Sequence, residues 1–272
     1  MSPRTILVSG ANQGIGFETV KILSNQYPDD VVLLGCRDLK KGEEAKSKIQ
    51  NSYNVHVIQL DVTKQQSIDK MKELIRKQYN GRIDILVNNA GIASQNHDLE
   101  SAKQTLDVNY FGLKAMCHSL EIFLTKAVVC VTSEVGCWGL EDLPSDLKTK
   151  FENPNLTEKQ LDELVQEYLT NVKNGTDKHY PFPPYQDYCF SKIAANTFVR
   201  ILASEYTTKH PNITVVACCP GYCATALNNF QGPRTAEAGG KSIVASIDNP
   251  QHGKFMQDGQ ILPWSIKSNR SI

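Results

Sequence analysis

Tyr188 and Lys192 stand four residues apart in a stretch with the pattern of a helix. Side chains at positions i and i+4 lie on the same helix face, so the ammonium of Lys192 can sit beside the phenol of Tyr188. A free phenol has a pKa of about 10, and a neighbouring cation favours the phenolate and lowers that pKa. The pair therefore predicts acid–base chemistry near neutral pH. Taken alone, the same spacing is more typical of a packed tyrosine next to a solvated lysine.

A glycine-rich segment follows the first apolar run of the chain. Residues 9–16 read SGANQGIG, and a helical pattern starts directly behind them. Glycines let the backbone turn sharply and approach a pyrophosphate, which then meets free N–H groups and the positive end of the helix dipole. The position between the first strand and the first helix predicts a dinucleotide site. We expect its contacts from Gly10, Asn12, Gln13, Gly14, Ile15 and Gly16.

The second apolar run ends in Cys36-Arg37-Asp38. At this point of a dinucleotide site a carboxylate suits a free ribose 2′-hydroxyl, whereas an arginine suits a 2′-phosphate. The guanidinium of Arg37 can hold such a phosphate by charge-assisted hydrogen bonds. The residue therefore favours NADPH over NADH. The alternative is a solvated arginine paired with Asp38.

Polar residues also follow the third and fourth apolar runs, at the edge where open α/β sheets bind ligands. A carboxylate at 61 can accept a hydrogen bond from an adenine amino group, and an amide at 89 can hold the turn that walls the adenine pocket. We expect the cofactor to meet Asp61, Val62, Asn89, Ala90 and Gly91. Alternatively, the amides of Asn88 and Asn89 tie the strand end to its neighbour and touch no ligand.

These residues depend on elements that alternate along the chain. The sequence predicts strands at 5–9, 31–34, 55–60, 83–87, 128–132 and 213–218, and helices at 15–26, 40–51, 65–79, 99–125, 187–209 and 236–247. This order predicts an α/β fold, a Rossmann-type doubly wound parallel sheet of about seven strands with helices on both faces. Because no linker, repeat or low-complexity tract appears, we expect residues 1–272 to form a single domain, with a flexible tail at 265–272.

One connection is much longer than the two to six residues usual in α/β units. It holds a helical insertion around residues 139–183, ahead of the helix that carries Tyr188. Thr157 as N-cap, Gln160 as its capping-box partner and Gly175 as the stop predict one helix within this insertion. Prolines 181, 183 and 184 are expected to return the chain in extended form.

Charge and cysteine usage exclude several classes of function. Lys plus Arg and Asp plus Glu are 29 each, so the electrostatic footprint of a nucleic-acid or anionic-membrane binder is missing. The eight cysteines show no CxxC pair and no zinc-type spacing, which indicates reduced thiols and no metal site. No signal-type segment or long apolar run occurs. We therefore expect a cytoplasmic protein with a small-molecule partner.

Several motifs occur together in the order typical of one family. Besides the glycine turn, they are Asn-Asn-Ala-Gly at 88–91, Asn109 in Asn-Tyr-Phe-Gly, Ser133, Tyr188 with Lys192, and Pro220-Gly221. The chain resembles the short-chain dehydrogenase/reductases from residue 4 to about residue 264. This resemblance implies a tetrad of Asn109, Ser133, Tyr188 and Lys192.

The resemblance also implies a role for each of the four. Tyr188 protonates a carbonyl oxygen that Ser133 also hydrogen-bonds. Lys192 binds the nicotinamide ribose and lowers the pKa of Tyr188. Asn109 holds a water that links Lys192 to solvent. Further cofactor contacts are implied for Pro220, Gly221 and Thr225.

Ser133 and Tyr188 are 55 positions apart (188 minus 133), far more than in ordinary members. In this the chain is similar to the monomeric NADPH-dependent carbonyl reductases and to plant reductases of terpenoid and alkaloid ketones. The likeness implies a monomer, since the insertion would cover the helix faces on which ordinary members associate. It implies reduction of ketones, aldehydes or quinones, with substrate contacts from Ser133, Trp138, Tyr188 and Tyr222, and with Leu140 as a further candidate. The aromatic side chains could equally be core.

Two other functions stay open on these residues. One is a dedicated biosynthetic ketone reductase or alcohol dehydrogenase. The other is a non-catalytic NADPH sensor, a class that typically loses the Tyr/Lys pair.

The chain also departs from the pattern. The monomeric carbonyl reductases usually carry a lysine where this chain has Gln13, which leaves Arg37 without its helper on the 2′-phosphate. Among the thiols, Cys189 is expected to be buried, while Cys219 beside the cleft is either buried or reactive.

Overall fold

Eight strands form one sheet in the computed structural model, which describes residues 3–94, 96–181 and 185–266. They lie in the order β3-β2-β1-β4-β5-β6-β7-β8, and every neighbouring pair is parallel except β7 and β8. The strands are β1 (Thr5–Val8), β2 (Val31–Cys36), β3 (Val55–Gln59), β4 (Ile83–Asn88), β5 (Leu124–Val131), β6 (Thr214–Cys218), β7 (Phe255–Gln257) and β8 (Gln260–Leu262). The predicted parallel sheet is confirmed, and the short β7–β8 hairpin extends it beyond the expected seven strands.

Helices cover both faces of the sheet because successive side chains of the central strands point to opposite sides and both sides are apolar. On β1, Ile6 and Val8 belong to the cluster under α1, α2 and α10, whereas Leu7 belongs to the cluster under α3, α4, α5 and α9. The helices outside the insertion are α1 (Gly14–Gln26), α2 (Leu39–Lys46), α3 (Gln65–Gln78), α4 (Leu99–Leu106), α5 (Leu113–Leu120), α9 (Gln186–Lys209) and α10 (Ala236–Asp248).

The direction of winding reverses between β1 and β4, which are neighbours in the sheet although β2 and β3 separate them along the chain. Ligand crevices of open α/β sheets lie at the carboxyl ends of the strands at such a switch point. The glycine turn follows β1, and residues 89–91 follow β4. The fold therefore brings these two segments to the same crevice.

The prediction of one long helix at 99–125 is wrong, because the structure divides this stretch into several elements. A π-helical segment, Asp107–Gly112, separates α4 from α5, a short 3₁₀ turn runs from Glu121 to Phe123, and β5 then begins at Leu124. Gly112 packs so closely against Val62 that a Cβ on Gly112 would lie 2.8 Å from a Val62 methyl. Single π turns inside helices are frequent at functional sites, and this one carries Asn109.

The insertion consists of three helices, α6 (Glu134–Asp142), α7 (Ser145–Glu152) and α8 (Glu158–Asn174). The predicted helix is α8, and its capping is confirmed. The N–H of Gln160 donates to the Thr157 hydroxyl at 3.3 Å, the N–H of Thr157 donates to the Gln160 side chain at 3.0 Å, and Gly175 ends the helix at φ +65°. Helices α6 and α7 were not predicted, and α6 begins ahead of the expected boundary at 139.

Parts of two predictions fall outside the described residues. Pro183 and Pro184 do so, and so do residues 267–272 of the predicted tail. Of that tail, Ser265 donates a hydrogen bond to Glu141, and Ile266 packs against the core. Across the described ranges, no helix combines the length and the apolarity needed to cross a membrane.

Candidate active site

The glycine turn is shaped by contacts that leave no room for a side chain. A Cβ on Gly16 would lie 2.3 Å from Asn89 Nδ2, and Gly10 and Gly14 take φ values of +63° and +59°. Asn89 Nδ2 donates to the carbonyls of Ser9 and Gly10 at 2.9 and 3.1 Å. The amide of Asn89 thus fastens the turn to the end of β4, which is the structural role that the sequence left open.

The N-terminus of α1 opens on this turn. Gln13 stands at the N-cap position in extended conformation, is exposed, and makes no capping hydrogen bond. The first turn holds no acidic residue. The helix therefore leaves N–H groups and a positive dipole end toward the crevice, and the glycines let a ligand approach them. Together these features fit a pyrophosphate.

Arg37 is exposed at the end of β2. The expected alternative, a pair with Asp38, is not formed, because the Asp38 carboxylate caps α2 by accepting from the Lys41 N–H at 3.2 Å. Within the described part of the chain, Arg37 has no carboxylate at ion-pair distance. Its guanidinium is available to an anionic group at the crevice edge.

Asp61 lies beside Arg37 and is half-buried. Burial by itself raises the pKa of Asp61, but hydrogen bonds from Thr63 and the charges of Lys64 and Arg37 outweigh it, so the pKa lies below the usual range. Thr63 donates to a single oxygen of Asp61, at 3.1 Å from its N–H and at 2.7 Å from its hydroxyl. Val62 next to it is buried against Gly112.

Asn109 is buried, and the π-helical segment aims its amide at the loop after β4. Its Nδ2 donates to the Ile92 carbonyl and to the Ser191 hydroxyl, both at 2.9 Å, and its Oδ1 accepts from the Ile92 N–H at 2.9 Å. Ser191 in turn donates to the Tyr188 carbonyl at 2.7 Å. Both amide protons are thus used, while the carbonyl oxygen can accept one further hydrogen bond.

Lys192 places an ammonium almost out of contact with solvent, at 5% exposure. Its Nζ donates to the Val131 carbonyl at 3.2 Å, at the end of β5, and lies 5.6 Å from the centre of the Tyr188 ring. Burial lowers the pKa of Lys192 to about 8. A Cβ placed on Gly91 would lie 3.4 Å from Asn109 Oδ1 and 3.9 Å from Lys192 Nζ. The space beside Gly91 therefore lies between these two groups.

Tyr188 is half-buried at the first turn of α9. The net pKa of Tyr188 is raised in this structure, whereas the sequence predicted a lowering beside Lys192. Burial raises the pKa of the phenol, Cys219 adds to that effect, and only the hydrogen bond with Ser133 opposes it. Desolvation of the phenolate is therefore the dominant effect on this phenol. The phenol stays protonated at neutral pH, which is the form that can donate a proton.

Ser133 is the N-cap of α6, and its Oγ accepts from the Val135 N–H at 3.2 Å. The Ser133 carbonyl accepts from Asn196 Nδ2 at 3.2 Å. These contacts hold the serine at the carboxyl end of β5, where its hydroxyl reaches Tyr188. The two hydroxyl groups therefore face the same space.

The candidate substrate residues separate into two groups. Leu140 is buried in the core, whereas Trp138 is half-buried and Tyr222 is 57% exposed. Tyr222 lies in the loop after β6, which also carries Pro220, Gly221 and Thr225. The methyl group of Thr225 would lie 3.6 Å from a Cβ on Gly14. This loop therefore covers the glycine turn.

Known proteins resemble this chain in sequence and in fold. The family model for short chain dehydrogenase matches residues 4–167 and 171–235. The chain belongs to the short-chain dehydrogenase family. Carbonyl reductase [NADPH] 3 of Rattus norvegicus is 33% identical over 96% of this chain and 98% of its own length. Carbonyl reductase [NADPH] 1 of Sus scrofa is 31% identical over 97% of this chain and 95% of its own.

Among solved structures, salutaridine reductase from Papaver somniferum superposes with a TM-score of 0.82 at 29% identity. That match covers 93% of this chain and 99% of the other. The likeness therefore extends through the insertion as well as the sheet.

Sequence reasoning missed two residues that support the site. Ser191 links Asn109 to the backbone of Tyr188, and its place within the Tyr188-to-Lys192 stretch was the available signal. Arg234 packs against the loop after β6, where its Cδ would lie only 2.5 Å from a Cβ placed on Gly221. Arg234 is itself fixed by Asp258 through two hydrogen bonds of 2.9 and 2.7 Å. No sequence pattern relates these two segments.

All eight cysteines fall in the described part of the chain, and each is buried and outside any disulfide. Cys189 is fully buried, as expected, and its Sγ donates to the Val135 carbonyl at 3.5 Å. Cys219 is 3% exposed, and burial raises its pKa to about 11. Since the thiolate is the reactive form, these values favour the inert interpretation of Cys219.

We therefore expect the folded protein to react slowly with an aromatic disulfide reagent at neutral pH, because neither access nor ionisation favours its thiols. The same protein unfolded in guanidinium should release eight equivalents of chromophore, which provides the control. A thiol in the folded protein that reacts as fast as in the unfolded chain, and that disappears in Cys219→Ser, would contradict this prediction.

Proposed function

We propose that the protein is an NADPH-dependent carbonyl reductase that converts ketones, aldehydes or quinones to alcohols. The observation that carries the proposal is the convergence of four side chains at the carboxyl end of β5. The hydroxyls of Ser133 and Tyr188 face one space, and Lys192 Nζ lies 5.6 Å from the centre of the Tyr188 ring. Asn109 lies across Gly91 from the ammonium. The printed names of the mammalian relatives, carbonyl reductase [NADPH], support the same activity.

The groups that would hold the cofactor fit NADPH. The glycine turn with the N-terminus of α1 suits the pyrophosphate, Arg37 suits a 2′-phosphate, and Asp61 has lone pairs left for the adenine. Lys192 is placed for the nicotinamide ribose hydroxyls. Further backbone contacts are proposed from Val62, Asn89, Ala90, Gly91, Pro220, Gly221 and Thr225. When bound, the nicotinamide supplies the hydride.

The residues of this chain supply the proton. The hydroxyl of Ser133 donates a hydrogen bond to the substrate carbonyl oxygen and fixes its position. Tyr188 donates its phenolic proton to the same oxygen, and the positive charge of Lys192 stabilises the phenolate that remains. The free lone pair of Asn109 Oδ1 is placed to hold a water through which the proton is restored. Trp138 and Tyr222 are proposed to line the substrate pocket.

A dedicated biosynthetic ketone reductase or alcohol dehydrogenase with one physiological substrate is the second candidate. It is supported by the likeness to salutaridine reductase, whose TM-score of 0.82 is higher than the 0.73 of the carbonyl reductase from chicken fatty liver. A non-catalytic sensor is disfavoured, since all four tetrad residues are present and brought together. Broad and dedicated reductases would use the same tetrad and differ only in the range of substrates that they reduce.

Tyr188→Phe should lower kcat by a factor of about 10²–10⁴, because proton donation contributes that much to carbonyl chemistry. Binding of NADPH, followed by quenching of protein fluorescence, should change little. Tyr185→Phe is the matched control, because Tyr185 is exposed three residues away and should keep full activity. Turnover by Tyr188→Phe at the wild-type rate would refute the assigned role.

Arg37→Ala should raise the KM for NADPH about tenfold or more, since a hydrogen bond to a charged group contributes about 1.5–3 kcal/mol. The KM for NADH should not rise, because NADH carries no 2′-phosphate for Arg37 to bind. Arg76→Ala, which removes an exposed arginine from α3, should leave both values unchanged. Equal KM values of the parent protein for the two cofactors would contradict the role given to Arg37.

We further propose a cytoplasmic monomer with a single domain. Helix α8 packs on α4 and α9. Its Asp162 accepts a hydrogen bond from the Tyr110 hydroxyl of the π-helical segment at 2.7 Å and pairs with Lys114 of α5 at 2.6 Å. His118 of α5 approaches Glu158 of α8 at 2.9 Å. These contacts support the expectation, implied by the family resemblance, that the insertion covers a helical face on which ordinary members associate.

Sedimentation equilibrium should accordingly give the mass of one chain, 30.3 kDa, over a range of concentrations. A concentration-independent mass of twice that value would contradict the proposed monomer.

A further inference from the structure

His97 lies between two carboxylates in the connection from β4 to α4. Its Nε2 is 2.5 Å from Asp177 Oδ2, and its Nδ1 is 3.1 Å from Asp187 Oδ1. Asp177 follows α8, and Asp187 belongs to the first turn of α9. The imidazole therefore contacts two carboxylates that lie 80 and 90 residues further along the chain.

The geometry around the ring favours its doubly protonated form. A neutral imidazole has one N–H and can donate to one carboxylate, whereas the imidazolium donates from both nitrogens. The Asp187 side chain is 2% exposed, and burial raises its pKa, so an ionised carboxylate there needs a neighbouring positive charge to offset its desolvation. The imidazolium satisfies both partners and cancels their mutual repulsion.

Other groups around the ring complete the cluster. The Tyr168 hydroxyl of α8 donates to Asp187 Oδ1 at 2.5 Å, and Gln186 Nε2 donates to Asp177 Oδ2 at 2.8 Å. Asp98, next to the histidine, caps α4 by accepting from the Ser101 N–H. Asp187 Oδ2 is buried without a hydrogen-bond partner among the described residues. Negative charge thus surrounds the ring from its own segment, from the insertion and from α9.

We propose that His97, as an imidazolium, is a positioning residue for Tyr188. Asp187 precedes Tyr188 directly in α9, and the loop that carries His97 also carries Ile92, which is hydrogen-bonded to Asn109. The histidine joins this loop, the end of the insertion and the first turn of α9 into one unit, the His97 clamp. The effect on catalysis rests on the proposed carbonyl reduction, whereas the clamp itself does not.

The clamp has a defined pH dependence. Burial lowers the pKa of His97, but the hydrogen bond to Asp177 and the charge of Asp187 outweigh it, so the pKa lies above the usual 6.5. A pKa that is raised by folding contributes stability that is complete below the unfolded value of 6.5 and lost as pH rises through the folded value. The clamp should therefore open on the alkaline side.

The state of the ring can be measured without any activity. In proton–carbon NMR spectra the C2–H resonance of His97 is identified by its loss in His97→Gln. It should titrate above pH 6.5, and Asp177→Asn, which keeps the ring and Asp187, should shift it to lower pH. His179→Gln is the matched control, because His179 is exposed two residues from Asp177 and should leave this titration unchanged. A His97 that titrates at or below 6.5 overturns the proposal.

Kinetics then test the link to Tyr188 with a neutral ketone. His97→Gln should lower kcat about tenfold at pH 6, as expected for a displaced catalytic group, with the KM for NADPH unchanged. The ratio of wild-type to variant kcat should decline as pH rises through the pKa of His97. The titration of Lys192 near 8 affects both proteins and cancels in this ratio.

If His97→Gln does not fold, Asp177→Asn takes its place, and the ratio of wild-type to variant kcat should again decline as pH rises. A pH-independent ratio, or an equal loss in His179→Gln, overturns the positioning role. Absence of ketone reduction by the wild-type protein would overturn the proposed function alone, since the NMR result does not depend on it.

Discussion

The burial of one ammonium group constrains the rest of the active site. Lys192 extends from α9 to the end of β5, where its Nζ donates a hydrogen bond to the Val131 carbonyl at 3.2 Å, and burial lowers its pKa to about 8. A buried cation is costly unless its surroundings are arranged to receive it. Gly91 leaves the space beside it open, and the π turn brings the Asn109 carbonyl oxygen to the other side of that space. The β5 terminus, the loop after β4 and α9 are thereby fixed relative to one another.

The same burial explains why the tyrosine behaves differently from the simplest expectation. A four-residue spacing correctly indicated that Tyr188 and Lys192 share a helix face, but spacing carries no information on solvent access. Desolvation raises the pKa of the phenol and lowers that of the amine. The resting pair is therefore a neutral phenol beside an ammonium of reduced pKa. This arrangement suits donation of a proton to the substrate more than formation of a resting phenolate.

Much of the fold could be predicted because its signals are local. Alternation of strands and helices indicated the parallel sheet, and the capping residues of α8 marked both of its ends. Helix α6 was missed because Gly136 and Gly139 lower helix propensity. In the structure those glycines are needed, since a Cβ on Gly136 would lie 2.5 Å from the Lys192 carbonyl and one on Gly139 would lie 2.3 Å from Cys189 Sγ. Contacts between α6 and α9, like the contact between Arg234 and Gly221, arise from tertiary structure that no local pattern records.

The central claim is that this crevice positions a carbonyl group for hydride transfer from NADPH. The most direct test is to incubate the protein with a ketone and NADPH deuterated at the transferred position, and to analyse the product by mass spectrometry and proton NMR. The account predicts an alcohol with one deuterium on the former carbonyl carbon, formed by the wild-type protein. An alcohol without deuterium at that carbon, or no alcohol from any of a panel of ketones, aldehydes and quinones, would contradict it.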